Sequence, residues 1–225
     1  MNDHTDRAFD TDMSGMRQAV VVMGELAQQQ FTRAVQAVRN ADLRLAAQVV
    51  EDEGVMNRLH LQVDLLCNQI IARRQPIAID LREVIGAIHI NNDLERIGDE
   101  AKKIALRARK LAAGALRDPK ARAGGMADQV ASMLAMAIDA FVRHDTSAAR
   151  RLNALDRAVD ASRDTLIGEL VAGMATDSAT LGQAVDLILV VQSIERVGDH
   201  AENIAEYVVN VVEGIDMRHG NVPRG

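Results

Sequence analysis

Four pairs of polar side chains, each spaced four residues apart, set the chemistry open to this chain. Glu95 and Asp99 form one pair, and Glu195 and Asp199 repeat it one hundred residues later. Asp156 and Asp160 form a third. Stepping back 103 residues from these lands on Glu53 and Asn57, where an amide replaces one carboxylate. Residues i and i+4 share one face of an α-helix, so each pair presents its oxygens together. Where two such pairs meet, three or four carboxylates crowd one spot and repel each other. A hard cation such as magnesium, manganese, calcium or ferric iron relieves that repulsion. Acids at this spacing also line ordinary solvated helices, with cations such as Arg96 and Arg196 for partners, so the spacing alone leaves both readings open. No set of cysteines or paired histidines completes a thiolate or imidazole site. His200 adjoins Asp199, and His60, His89 and His144 read as surface or interhelical residues.

Other catalytic patterns are missing. No serine or cysteine sits beside a plausible base, and there is no glycine-rich phosphate loop or dinucleotide fingerprint. The chain therefore reads as a non-enzyme. A metal-dependent enzyme acting on phosphate compounds is the alternative that the paired acids keep open. Cys67, the single cysteine, lies among Leu65, Leu66 and Ile70 and reads as a small buried hydrophobe. It excludes an internal disulfide and fits a reducing, cytoplasmic compartment.

The elements that position these acids come in two copies. Leu94-Glu95-Arg96-Ile97-Gly98-Asp99 recurs as Ile194-Glu195-Arg196-Val197-Gly198-Asp199, and the match extends to Ala101, Ile104 and Ala105 against Ala201, Ile204 and Ala205. Apolar residues step by three and four from Val84 through Ile90, Leu94, Ile97 and Ala101 to Leu111. They do so again from Ala184 through Val190, Ile194, Val197 and Ala201 to Val211. Each series is one stripe of an α-helix, and Glu95, Asp99, Glu195 and Asp199 project to roughly the opposite side. Asp80 with Glu83, and Thr180 with Gln183, have the spacing of capping boxes and predict helix starts near 80 and 180. Two earlier helices are expected in each half, over about 12–40 and 42–73, then 125–144 and 146–171. Asn40 to Asp42, Gln75-Pro76 and His144 to Thr146 are the breaks.

The expected fold is thus all-α: six long helices in two tandem antiparallel three-helix bundles related by an internal repeat. The first bundle spans 1–113 and the second 125–214. A Gly- and Pro-containing linker over 114–124 separates them, and a polar tail over 215–225 follows. Composition agrees. Apolar residues make up 48% and aromatics only 2%, so the core is aliphatic. The formal charge of −6 lacks the basic excess that nucleic-acid binding needs. No apolar run approaches the roughly 20 residues that span a bilayer, and the polar start at Met1-Asn2-Asp3-His4 does not read as a secretory leader.

The duplicated Glu-Arg-(Ile/Val)-Gly-Asp segment resembles the PhoU family of phosphate-transport accessory proteins. Ile71-Ala72-Arg73-Arg74-Gln75-Pro76, Asp80-Leu81-Arg82, Asn203-Ile204, Met23-Gly24 and Met217-Arg218-His219 also match. The resemblance implies two three-helix bundles and a cytoplasmic negative regulator of the phosphate-starvation response and of phosphate uptake. Its partners would be the ATPase of a phosphate ABC transporter and a phosphate-sensing histidine kinase, reached at the membrane only by docking on them, and it would form a homodimer. It also implies bound metal ions (iron, manganese, magnesium or zinc) at Glu53, Asn57, Glu95, Asp99, Asp156, Asp160, Glu195 and Asp199. Asn57 departs from the carboxylate expected at its position, which makes the first-half set the weaker one.

Overall fold

The structure, a computed structural model, describes residues 3–112 and 116–215, with side chains from residue 7 onward. All regular structure among the described residues is helical. The first half contains α1 (Asp3–Asn40), α2 (Leu43–Glu51), α3 (Glu53–Arg74) and α4 (Ala78–Arg107). The second contains α5 (Arg117–Arg143), α6 (Thr146–Thr176) and α7 (Leu181–Glu213). Counting α2 and α3 as one broken helix gives the expected six. Gly114 of the expected linker, the tail from 216 onward and Met217-Arg218-His219 lie outside the described residues.

The chain reversals follow local chemistry. Ala41 and His144 both adopt the left-handed conformation, at φ 53° each. In both cases an aspartate follows and caps the next helix. Asp42 accepts from the Leu45 amide, and Asp145 accepts from the amides of Ser147 and Ala148. Those amides and the Ser147 hydroxyl hold the Asp145 carboxyl below its usual pKa. Gln75, also left-handed, ends α3 just before Pro76.

Several expected boundaries move. Neither capping box forms. α4 begins at Ala78, two residues before Asp80, and Ile77 at its start gives no side-chain cap. Glu83 is buried and is taken instead by Arg17, 2.5 and 2.7 Å away on α1. Thr180 does mark the start of α7, but its hydroxyl donates to the Asp177 carbonyl rather than accepting from α7. α5 starts at Arg117, so residues 117–124 of the expected linker are helical, and Ala123 and Gly124 are buried. The expected single helix over 42–73 breaks at Asp52, where Asp and Gly54 are weak helix formers. Arg33 holds the Asp52 carboxylate there at 3.0 Å.

The stripes predicted on α4 and α7 are both buried from end to end, from Val84 to Leu111 and from Ala184 to Val211, although Ala108 and Leu111 lie in the turn that follows α4. They do not close two separate cores. α4 packs against α7 and α1 against α5, and one continuous aliphatic core runs through both halves. Polar contacts cross the same seam. Asp93 meets His200 Nδ1 at 2.8 Å, Arg82 donates to the Val211 carbonyl at 3.1 Å, and His89 stacks on Tyr207 with ring centres 4.8 Å apart. α5 is long and apolar enough by composition to cross a bilayer, but its apolar stripe is packed against α1, α6 and α7.

Candidate metal centre

α4 and α7 are the central helices, each packed on several sides, so little of their circumference faces away from protein. Glu95, Asp99 and Glu195 are accordingly half-buried rather than opposite the core, while Asp199 is exposed as expected. Glu195 lies on the side of α7 that faces α6, where Arg163 pairs with it. Two further acids of α4, Asp93 and Glu100, are buried outright on the seam between halves. Spacing along one helix does not reveal them, because a helix packed on several sides has no single wet face.

In the second half the expected convergence occurs. Asp156 and Asp160 on α6 and Asp199 on α7 each bring a carboxylate oxygen within 4.8 Å of the others. They are the one such acidic or histidine group among the described residues. Asp156 is only 7% exposed, and its Oδ1 is buried with no hydrogen-bond partner. Burial, then the charges of Glu202, Asp199 and Asp160, push its pKa up to about 7. Asp199 is raised as well, by desolvation and then by Asp160. An orphaned carboxylate oxygen among repelling acids is the environment that a hard cation stabilises, so the donor set fits one. Gly198 lies against this group, and a Cβ there would meet Asp156 Oδ1 at 3.4 Å, an ordinary contact.

The fourth expected ligand is turned elsewhere. Glu195 is ion-paired with Arg163, which also binds Asp160 and Asp164, both at 2.9 Å. The hydrogen bond to Asp164 and then the charge of Asp160 raise the Arg163 pKa. Glu202 stands at the edge of the group and accepts from Asn153 Nδ2 at 2.5 Å. Motif spacing found neither residue. Both were nonetheless readable, Arg163 three residues after Asp160 and Glu202 three after Asp199, each within one helical turn of an expected ligand.

The first-half residues are not gathered in the same way. Glu53 is ion-paired with Lys102 of α4. Asn57 is exposed on α3, and Glu95 and Asp99 remain half-buried on α4. Beneath them Gly98 faces Gln30 and Met56, where a Cβ would come within 3.0 Å of Gln30 Oε1. His60 lies 3.4 Å from Asp64. Cys67 is fully buried, and burial followed by the charge of Asp64 pushes its thiol up to about 12, which keeps it an inert core residue.

The model of the PhoU domain matches residues 20–108 and again 124–208, one copy per half. The phosphate-specific transport system accessory protein PhoU homolog of Pseudomonas aeruginosa is 38% identical over 222 residues, covering 98% of this chain and 92% of that protein. The accessory protein PhoU of Escherichia coli K12 is 33% identical over 219 residues, covering 97% and 91%. The crystal structure of PhoU from Pseudomonas aeruginosa superposes with a TM-score of 0.89 at 38% identity, covering 92% of this chain and all of that one. The phosphate transport system regulatory protein PhoU from Streptococcus pneumoniae gives 0.86 at 25% identity, covering 92% and 98%.

Proposed function

Because the chain belongs to the PhoU family, we propose that it is a cytoplasmic negative regulator of the phosphate-starvation response and of phosphate uptake. It acts without turnover, as a homodimeric adaptor between the ATPase of a phosphate ABC transporter and a phosphate-sensing histidine kinase. The observation that carries this reading is the end-to-end match, in both halves, to proteins named as accessory to phosphate-specific transport. A rigid six-helix body with one shared core suits a protein that passes information through its outer faces rather than through a substrate cleft. In this reading Asp156, Asp160 and Asp199 hold a divalent cation, whose charge offsets the repulsion among them. Of iron, manganese, magnesium and zinc, the hard, oxygen-seeking ions match the carboxylate set best.

Deleting the gene is the direct test. Alkaline phosphatase expression should rise in phosphate-rich medium and fall again on complementation. Continued repression, with no related copy present, would overturn the regulatory role. Steady phosphate release from polyphosphate or a nucleotide by the purified protein, lost on Asp199→Ala, would instead point to the metal-dependent enzyme.

A further inference from the structure

The two halves differ in charge at positions on their second and third helices. The offset of 103 residues relates the second helices and that of 100 relates the third. The left-handed breaks Ala41 and His144, and the caps Asp42 and Asp145, keep the 103-residue offset in space. By these offsets Glu53, Asn57, Asp99 and Lys102 correspond to Asp156, Asp160, Asp199 and Glu202. At these four positions the second half has four carboxylates; Arg163, where the first half has His60, pairs with Asp160 but leaves Asp156 Oδ1 without a partner. The first has two carboxylates, an amide and an ammonium.

Lys102 does not lie idle on the surface. Its Nζ is bonded to the carboxylate of Glu53, and both side chains are about one-third exposed. Glu53 is the counterpart of Asp156, whose Oδ1 is buried and has no partner. The acid that is orphaned in one half is therefore neutralised by a covalently attached cation in the other. We infer that Lys102 is a built-in cation that closes the first-half site, so that each chain takes up one divalent ion, in the second half alone.

This inference rests on the second-half metal reading but depends on different residues. A metal ion approaching Glu53 would have to displace an ammonium already within hydrogen-bonding distance. It would also meet a weaker set than the second half offers, since Asn57 brings a neutral amide where Asp160 brings a carboxylate. The lysine also needs no supply of free metal. One half is thus neutralised permanently, and the other responds to its ion.

Calorimetric titration of the metal-stripped full chain with Mn²⁺ tests this. The wild type should bind one ion per chain, and Asp156→Asn should bind none. The double variant Asn57→Asp/Lys102→Glu should bind two, and its melting temperature, lowered without metal, should recover on Mn²⁺ addition. Lys102→Gln, which removes the ammonium without adding an acid, should gain a second, weaker equivalent and serves if the double variant does not fold. Two ions on the wild type, with only one lost in Asp156→Asn, would overturn the inference. So would a folded double variant, or a Lys102→Gln protein, with no second equivalent. A wild type that binds none beside a double variant that binds one would sink the second-half reading and leave the role of Lys102 standing.

Discussion

Asp156 is more than nine-tenths buried beside Asp160, Asp199 and Glu202, and both its burial and their charges oppose its ionisation. The consequence for stability has a definite sign. In the unfolded chain this carboxyl ionises near pH 4, and in the folded chain at about 7. Between those values the native state holds a proton that the unfolded state has released. Stability therefore falls as pH rises through that window, and the contribution is gone above it. Asp199, shifted in the same direction, adds to the trend. Urea unfolding of the metal-stripped protein from pH 4.5 to 8 should show this as a falling midpoint relative to Asp156→Asn, which has no charge to bury. Parallel wild-type and variant curves would mean that Asp156 is not the source. Bound Mn²⁺ should flatten the difference, because it stabilises the ionised carboxylate.

At the level of single helices, the sequence announced most of what forms. Breaks with their own local chemistry, such as Asp42 and Asp145 as caps and Gln75 before Pro76, were legible. So were the buried stripes of α4 and α7, because period and composition agree there. What stayed hidden depends on partners distant in the chain. Glu83 has the spacing of a capping box, but Arg17 on another helix offers it a stronger, charge-assisted bond. Lys102 could have been found by stepping back one hundred residues from Glu202, but nothing local says that its ammonium turns to Glu53. The paired glycines show the same limit. Gly98 and Gly198 occupy the same motif position on long helices, but a Cβ at one would meet Gln30 and Met56 at 3.0–3.3 Å and a Cβ at the other would meet Asp156, Val130 and Val159 at 3.4–3.8 Å. Alanine gains up to about 1 kcal/mol over glycine in a helix interior. Gly198→Ala, with only ordinary contacts to accept, should realise about 0.5–1 kcal/mol of that at pH 5, where Asp156 is protonated. Gly98→Ala should gain less or lose, since its neighbours must shift. Urea midpoints of the two variants, measured side by side, decide it. Equal gains would remove the packing distinction between the halves.

The whole molecule is held together along the α4–α7 seam, which the repeat implied only as two copies and not as one body. The halves meet there in two unlike ways. At one end Gly86 admits Val211, which is itself 1% exposed, and Arg82 donates to the Val211 carbonyl. One hundred residues on from Gly86 is Asp186, and at that other end it is gripped by Lys110 at 3.3 Å and approached by Arg107 at 4.0 Å. The Gly86–Val211 contact at the first end is one of shape, so it can be tested by shape. A Cβ at position 86 would lie 2.7 Å from Val211 Cγ2, and a β-branched side chain has little freedom to turn away. Overpacking of this kind costs about 1–3 kcal/mol, which outweighs the helix-propensity gain from glycine to alanine. Gly86→Ala should therefore lower stability by about 1 kcal/mol. Val211→Ala alone should also destabilise, by leaving a cavity. Together the two changes should compensate, because the alanine methyl enters the space that the valine vacates. A double-mutant cycle on urea unfolding should return a favourable coupling of about 1 kcal/mol or more. If the two losses simply add, residues 86 and 211 do not meet, and the close packing of the halves at this end of the seam is wrong.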